Sequence, residues 1–457
     1  MHAARCGPLH HNLLTTLGLI TASVATAYVF CREIPLPTDL TAARRRLLHW
    51  LSQFPYAAWL DSCQSDIDHY GRYQWLAGAA TAQAPRLTKW QDLPRAEGRW
   101  WLGALPYELK NRLEPRLRSR HMPPVAWPEL AFFAPDLLIE WPRGAAYLRL
   151  QADTPALLDQ AEAILQGPTP ASMPVGPPPR FHSGFDQKGY LRLIERLQDH
   201  IREGDFYEIN LAQAYQARHV LPQPAETFLD LLDISPVPFG AFLRFGSRYL
   251  LCASPERFLQ LHDGQLCSQP IKGTAPRGAT PEEDAAHRAY LSHSDKEQAE
   301  NVMIVDLTRN DLHRSCETGS VRVPHLFEIQ AFPQVFQLVS SVVGRKRADL
   351  PWHQALAHAF PPGSMTGAPK VMTLEMIDRY EPVARGLYAG SAGYLTPTGE
   401  FDLNVVIRSL LYDATQAQLS YHVGGAITYD SDPAREYEET LVKARAIRRL
   451  FAEKEAV

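Results

Sequence analysis

The amino-acid sequence predicts a mixed α+β protein and not a doubly wound parallel sheet. Apolar runs typical of short strands follow one another between residues 206 and 261 and again between residues 335 and 423, and helical segments are inserted between these groups. No segment repeats at a fixed period. With 457 residues, of which 45% are hydrophobic and 21% are charged, the chain has the length for two domains and a globular composition.

Capping residues and apolar periodicity indicate where the elements lie. An aspartate before an apolar stripe accepts hydrogen bonds from the free N–H groups at a helix start, and proline is tolerated in the first turn. Helices are therefore predicted over Leu40–Leu51, after Asp186, from Asp295 to about Cys316 and after Asp432-Pro433. Strands are predicted at Ala145–Gln151, Phe206–Leu211, Ala241–Phe245, Tyr249–Ala253, Phe258–Leu261, Val335–Val343, Ala392–Tyr394, Leu403–Leu411 and Leu419–Val423.

Two changes in composition suggest domain boundaries. Eight of the nine tryptophans lie from Trp50 to Trp141, which predicts an N-terminal domain over residues 33–166 with its own aromatic core. Residues 167–179 contain six prolines, which neither a helix nor an inner strand tolerates, so we expect a linker there. Residues 180–457 would then form a second domain.

Charge and cysteine content limit the classes of partner. A net charge of −4 gives no broad cationic surface for nucleic acid or an anionic membrane, so an anionic substrate would need a local cationic site. The six cysteines form no C-x-x-C pair, and so few in so long a chain are typical of a reducing compartment. We therefore expect a cytoplasmic protein.

The first residues form the least globular segment. Residues 13–30 carry no charge, but their threonines, serine and glycine weaken a membrane span. Ala25-Thr26-Ala27 has the pattern of a signal-peptide cleavage site, whereas Arg5 is the only positive residue before the apolar stretch. We expect residues 1–32 to be a loose, disordered extension and expect no membrane association.

A lysine and a glutamate stand out as candidates for chemistry. Lys272 lies in the string Gln269–Gly278 at the mouth of a predicted turn, where apolar neighbours would make it lose its proton more easily than a free lysine. Glu256 lies sixteen residues earlier, and burial could keep it protonated as a general acid. Each residue alone is more often a solvated lysine or an ion-paired glutamate.

Five strings, in order over residues 180–457, resemble the motifs of chorismate-utilising enzymes. Gln269–Gly278 is similar to the family signature P-I-[KA]-G-T-x-P-R-G, in which the Lys272 position is usually Ala in anthranilate synthases and Lys in aminodeoxychorismate synthases. The resemblance is therefore strongest to component I of the latter. It implies a large mixed, mainly antiparallel β-sheet sandwich with flanking helices, and an N-terminal domain of the anthranilate synthase component I type.

The resemblance also implies roles for five residues. Lys272 would attack ring carbon 2 of chorismate, while Glu256 would protonate the departing 4-hydroxyl. Glu300, in the string Ser294–Leu312, and Glu439, in the last helix, match the family's ligands for Mg²⁺. Glu436 lies one turn before Glu439 and could act through a water molecule.

Further positions match the family's substrate contacts. They are Gly273, Thr274, Tyr388, Arg408, Gly424, Gly425 and Ala426. Arg408 lies in the otherwise apolar run Val405–Ser409, where its charge is destabilising unless paired, and a bound carboxylate is a suitable partner. The glycines would offer backbone N–H groups to an anion. The string Gly363–Lys370 matches the family and has the wrong spacing for a P-loop.

Two departures from the family pattern favour one activity over its relatives. Gln337 stands where a histidine associated with anthranilate synthase chemistry is common, and an amide cannot carry a proton. Glu208 stands near the point where isochorismate synthases carry a water-activating lysine, so delivery of hydroxide is not favoured.

The resemblance implies that the chain forms 4-amino-4-deoxychorismate from chorismate in folate biosynthesis. The chain has no cysteine-based glutaminase motif, so ammonia would come from a glutamine amidotransferase subunit, component II. Anthranilate synthase component I is the nearest alternative, and a non-catalytic chorismate-binding regulatory subunit is an alternative of another class.

Overall fold

A computed structural model describes residues 28–170, 178–333 and 335–451. The predicted N-terminal extension therefore lies almost wholly outside the described residues, as does part of the proline-rich run. The strands are β1 Phe30–Pro35, β2 Tyr56–Asp61, β3 Tyr73–Ala80, β4 Arg86–Leu87, β5 Trp101–Leu105, β6 Ala131–Phe133, β7 Leu137–Pro142, β8 Tyr147–Ala152, β9 His182–Ser183, β10 Glu208–Arg218, β11 Phe239–Phe245, β12 Arg248–Ser254, β13 Arg257–His262, β14 Gln265–Gln269, β15 Ile271–Pro276, β16 Arg322–Ala331, β17 Val335–Arg345, β18 Gly367–Ala368, β19 Ser391–Leu395, β20 Phe401–Asn404, β21 Ser409–Asp413 and β22 Gln418–Ile427.

The helices flank these strands, and short 3₁₀ turns cover Trp90–Arg95, Tyr107–Leu109 and Gly363–Met365. The helices are α1 Leu40–Leu51, α2 Lys110–Leu113, α3 Pro155–Gln166, α4 Gln187–Glu203, α5 Pro224–Ile234, α6 Pro281–His293, α7 Asp295–His313, α8 Trp352–Ala359, α9 Lys370–Tyr380 and α10 Pro433–Leu450. None of the helices in the described residues is both long enough and apolar enough to cross a bilayer.

The four predicted helices are confirmed, and their starts follow the predicted capping. Asp186 accepts a hydrogen bond from the backbone N–H of Gly189, and Asp432 accepts one from Arg435. Helix α1 has the predicted bounds, and α7 starts at Asp295 as predicted but ends at His313. Local side-chain chemistry was therefore sufficient to place these helix starts.

Two large antiparallel sheets form the predicted sandwich. The first has the order β1-β8-β7-β3-β2-β11-β12-β21-β22-β10-β18, and β9 pairs with β10. The second has the order β15-β17-β14-β13-β20-β19-β5-β6-β4, and β16 pairs with β17. Buried residues of both sheets share one core cluster, which includes Ala58 and Leu243 from the first sheet and Leu102 and Phe133 from the second.

Strands from both sides of the proline-rich run are hydrogen-bonded to one another. In the first sheet β2 pairs with β11, and in the second sheet β5 pairs with β19. The division at residues 167–179 stays a prediction about sequence organisation. Within the fold, both sequence ranges contribute strands to both sheets.

The strand predicted over Leu403–Leu411 is wrong, because the chain changes sheets within it. Strand β20 pairs in the second sheet, and β21 pairs in the first. Val405 and Val406, in the crossing between them, are buried in the core, which is why the apolar pattern continued beyond the end of β20. Arg408 lies in this crossing with a φ of +50°.

Candidate active site

Lys272 lies in a buried ion pair. Its amine nitrogen Nζ is 2.6 Å from Oε1 of Glu208, and the two side chains are 10% and 2% exposed. Lys272 is the second residue of β15, and Glu208 is the first residue of β10, so the pair joins the ends of strands from different sheets. The amine faces the protein interior and not bulk solvent.

The expectation that Lys272 loses its proton easily is wrong for this arrangement. Burial acts to lower the pKa of Lys272, but the negative charges of Glu208 and Glu300 outweigh it, and the pKa is raised above its ordinary value. The apolar neighbours of Lys272 in the sequence suggested a lowered pKa, whereas the fold brings carboxylates to its amine. The amine is held as an ammonium until the surrounding negative charge changes.

Glu256 has the burial that a general acid requires. Desolvation raises the pKa of its carboxyl group to about 7, although the Ser364 hydroxyl and the charge of Lys272 act in the opposite direction. The Glu256 residue as a whole is 4% exposed. Ser364 belongs to the string Gly363–Lys370, so that motif lies beside Glu256. A carboxyl group with this pKa is partly protonated near neutral pH and can donate a proton there.

A group of glutamates from α7 and α10 lies next to Lys272. Helix α7 packs against β15 and β17, and α10 packs against β22, so Glu300 and Glu439 both act on the charge of Lys272. Burial and neighbouring carboxylates raise the pKa of Glu300, and they raise that of Glu436 to about 7. Lys443, whose Nζ is 2.5 Å from Oε1 of Glu439, lowers the pKa of Glu439.

Sequence reasoning missed Glu297, which belongs to the same group of glutamates. Burial raises its pKa first, and the charges of Glu300 and Glu439 raise it further. Glu297 precedes Glu300 by three residues, so the signal was present in the helical spacing of two acidic residues on one face.

Glycines leave room for this group of carboxylates. A Cβ atom at Gly425 would lie 3.4 Å from Glu436 Oε2 and 3.6 Å from Glu439 Oε1. A Cβ atom at Gly273, where φ is +97°, would lie 3.0 Å from Glu297 Oε2. Any side chain at either position would fill space beside the carboxylates.

The other predicted substrate positions lie around this group. Gly424 pairs with Ala212, and Ala426 pairs with Asn210, within the β10–β22 ladder. The carbonyl oxygen of Gly424 accepts a hydrogen bond from Lys443 Nζ at 2.9 Å. Thr274 is exposed and is the cross-strand partner of Gln337.

Arg408 and Gln337 line the same cavity. This small space, of about 10 Å³, is also lined by Pro255, next to Glu256, and by Phe332. Desolvation lowers the pKa of Arg408, and the carboxyl group of Glu256 acts in the opposite direction. No ion pair to Arg408 is found among the described residues, and Gln337 Oε1 is buried there without a hydrogen-bond partner. The cavity therefore presents a cation and an amide to a ligand.

Tyr388 is held in place by a buried arginine. Its ring stacks on that of His422, with centroids 5.0 Å apart, and the Arg385 guanidinium lies 5.8 Å from the Tyr388 centroid. Arg385 donates hydrogen bonds to Glu381 and to the carbonyl oxygens of Met365 and Asn210. It thereby ties the Tyr388 loop to β10 and to the string Gly363–Lys370.

Lys370 has a structural role in this arrangement. Its amine contacts Asp311 Oδ2 at 2.5 Å and the carbonyl oxygens of Ala359 and Pro361 at 3.0 Å each. These three contacts occupy the Lys370 amine within the protein, and the prediction that Gly363–Lys370 is not a P-loop continues to rest on its sequence spacing.

Comparison with known proteins gives a consistent result. The model of the chorismate binding enzyme family matches residues 45–449. Aminodeoxychorismate synthase of Streptomyces griseus is 41% identical over 380 residues, which are 80% of this chain and 52% of that protein. Aminodeoxychorismate synthase component 1 of Klebsiella aerogenes is 39% identical over 348 residues, 76% of each chain. This chain thus spans about half the length of the Streptomyces relative.

Solved structures share the fold. Anthranilate synthase component I from Streptococcus pneumoniae superposes with a TM-score of 0.71 at 24% identity, covering 97% of this chain and 96% of that one. The menaquinone-specific isochorismate synthase from Escherichia coli gives 0.69 at 21% identity, covering 92% and 94%. At these identities the likeness establishes the predicted fold and leaves the choice of reaction to the site.

Proposed function

The chain belongs to the chorismate binding enzyme family, and we propose that within it the chain converts chorismate and ammonia to 4-amino-4-deoxychorismate, for para-aminobenzoate and folate biosynthesis. One observation carries this proposal. A buried lysine amine, that of Lys272, lies beside Glu208 and within reach of the charges of Glu256, Glu300 and Glu439. A nucleophile at this position allows one difficult substitution to be divided into two easier ones.

In the first half of the reaction, Lys272 bonds to ring carbon 2. The two ring double bonds shift, the bond from carbon 4 to its hydroxyl oxygen breaks, and Glu256 protonates the departing group so that it leaves as water. In the second half, ammonia bonds to carbon 4, the double bonds shift back, and the Lys272 nitrogen leaves carbon 2 with its electron pair.

Magnesium fits the donor set at the two helices. Glu300 and Glu439 would hold it, with Glu436 acting through water, since carboxylate oxygens are the ligands that Mg²⁺ prefers. Burial and, after it, neighbouring carboxylates raise the pKa of Glu300 and of Glu436, and a divalent cation would relieve that repulsion. When bound, the ion would neutralise the ring carboxylate of the substrate and orient it.

The second carboxylate of chorismate would be bound by Arg408 at the cavity that it shares with Gln337. Arg408 is desolvated there and acts on the charge of Glu256, so a carboxylate on Arg408 would keep the substrate beside the proposed acid. Gly424, Gly425 and Ala426 would supply backbone N–H groups to the substrate.

The ammonia would come from a glutamine amidotransferase partner. Relatives carry the name component 1, which refers to a second component of the same enzyme. This chain has no cysteine-based glutaminase motif of its own in its sequence. We keep the cytoplasm as its proposed location, because so few cysteines in so long a chain are typical of a reducing compartment.

The test is incubation with chorismate, ammonium and Mg²⁺, followed by chromatographic separation of the products. The wild-type protein should form aminodeoxychorismate, and K272A should be slower by about 100-fold or more, because it lacks the nucleophile. K188A, which removes an exposed lysine at the start of α4, is the matched control. Undiminished product from K272A would refute covalent catalysis.

Anthranilate synthase activity is the second candidate. Anthranilate synthase component 1 of Cereibacter sphaeroides is 41% identical over 268 residues, 58% of this chain. The same incubation discriminates the two, because anthranilate formation releases pyruvate. The presence of Gln337 argues against anthranilate synthase activity, since an amide cannot transfer the proton that aromatisation requires. Chorismate binding in calorimetry without any turnover would favour the regulatory alternative.

A further inference from the structure

The carboxylate of Glu208 has one oxygen that the protein does not pair. Oε1 accepts the hydrogen bond from the Lys272 amine at 2.6 Å. Oε2 is buried and has no hydrogen-bond partner among the described residues. The whole residue is 1% exposed. A buried carboxylate oxygen without a donor is destabilising, so it points to a donor that arrives with a ligand.

Glu208 lies close to the surface although its carboxylate is buried. It is the first residue of β10, where it pairs with Ala368 of β18. Tyr207, the residue before it, is 72% exposed. The buried carboxylate therefore belongs to a residue that directly follows an exposed one at the start of its strand.

The local charge selects the kind of solute. Glu208 is the carboxylate in direct contact with the Lys272 amine, whereas Glu300 and Glu439, which also act on its charge, have Lys296 and Lys443 as further partners. The unpaired, buried carboxylate oxygen of Glu208 attracts a small cation that has N–H donors and repels hydroxide. Ammonium is such a cation and is the abundant form of ammonia near neutral pH.

We infer that Glu208 binds the nitrogen nucleophile, with Oε2 accepting an N–H group of ammonium while Oε1 stays on the Lys272 nitrogen. This rests on the proposed function, in which Lys272 and ammonia react with the same substrate one after the other. One carboxylate then holds both nitrogens that exchange places on the ring.

The protons balance over the cycle. Lys272 first loses one proton, which is the net proton that the reaction releases, and attacks carbon 2. Bound ammonium gives one proton to Glu208 and attacks carbon 4 as ammonia. The new amine passes its extra proton to Glu256, which lost its own to the departing hydroxyl. The released Lys272 amine takes the proton from Glu208, and both side chains return to their starting states.

The test compares E208Q with the wild type and with E140Q. Glu140 is a carboxylate of similar burial, 3% exposed, in strand β7 outside the site. In E208Q the amide cannot present a second acceptor. The KM for ammonium should therefore rise about 10- to 100-fold, which is the effect expected from the loss of one charge-assisted hydrogen bond. The KM for chorismate should stay unchanged, and E140Q should match the wild type in both.

A second readout separates ammonium binding from support of Lys272. Without ammonium, E208Q incubated with chorismate should still form the Lys272 adduct, seen by intact-protein mass spectrometry, and added ammonium should discharge it slowly. If ammonium discharges the E208Q adduct at the same concentration as the wild-type adduct, the inference is overturned. If E208Q forms no adduct, the inference is also overturned, because Glu208 would then support Lys272 and not ammonium.

Two controls keep the outcome decisive. If E208Q does not fold, E208D is used instead, because it keeps the charge but shortens the side chain by one methylene. A raised KM for ammonium with an unchanged KM for chorismate is again expected. An unchanged KM for ammonium would overturn the inference. If the wild-type protein forms no aminodeoxychorismate at all, the proposed function fails, and that result is distinct from a failure at Glu208.

Discussion

Two buried groups of charged side chains differ in how completely their polar atoms are paired. The first, the arginine cluster, consists of Arg257, Asp68 and Asp402, and the second, the lysine cluster, consists of Lys272, Glu208, Glu256, Glu300 and Glu439. Arg257 donates hydrogen bonds to both oxygens of Asp68 and to both oxygens of Asp402, at 2.7–2.9 Å. Carboxylates outnumber the cation in both clusters, but in the lysine cluster one oxygen of Glu208 has no donor among the described residues.

The comparison shows that buried charges serve two purposes in this fold. Although burial acts to raise it, the charge of Arg257 lowers the pKa of Asp68, as expected for a fully paired carboxylate. In the lysine cluster, by contrast, burial raises the pKa of Glu256, and burial together with the charges of Glu208 and Glu439 raises that of Glu300. Paired charges fix the packing of the two sheets, whereas unpaired charges are available to a substrate and a cation.

The largest expected effect is loss of stability on breaking the arginine cluster. R257M leaves Asp68 and Asp402 buried without a cation, so the free energy of unfolding should fall by about 3–5 kcal/mol in urea denaturation. R277M is the matched control, because Arg277 pairs with Asp284 at the surface, and its effect should be small. A fall no larger than that of R277M would contradict the structural role of the arginine cluster.

A smaller effect is expected in the pH dependence of stability. Because the folded state raises the pKa of Glu256 from 4.5 to about 7, its contribution is fully present below pH 4.5 and is lost as the pH rises to about 7. The unfolding free energy of the wild type relative to E256Q should fall by up to about 1.4 kcal/mol per pH unit in that window. Parallel pH curves for the two proteins would contradict the raised pKa.

The smallest effect is expected at Glu300 and has the opposite sign to that of R257M. In EDTA, E300Q removes one of several repelling carboxylates, so the free energy of unfolding should be unchanged or higher by less than about 1 kcal/mol. In Mg²⁺ the wild type should gain thermal stability that E300Q lacks, because the ion binds the folded state. Destabilisation of E300Q in EDTA would instead assign Glu300 to a paired network like that of Arg257.

Prediction from sequence succeeded where the physical cause was local. The cap at Asp186, the bounds of α1 and the start of α10 at Pro433 all depend on residues within one or two turns. It failed over Leu403–Leu411, because an apolar alternation does not reveal that a chain passes from one sheet to another. It also missed the partner of Lys272, because an apolar neighbourhood in sequence says nothing about carboxylates that arrive from another strand.

The sequence by itself determined the elements, the motifs and the residue types available for chemistry. Only the tertiary structure decided which of them meet. Lys272 and Glu208 are 64 positions apart. Their contact requires that the N-terminal ends of β10 and β15, which belong to different sheets, lie next to each other. A shift of either strand by one residue would turn its side chain to the opposite face, so this pairing depends on long-range register, which no local pattern encodes.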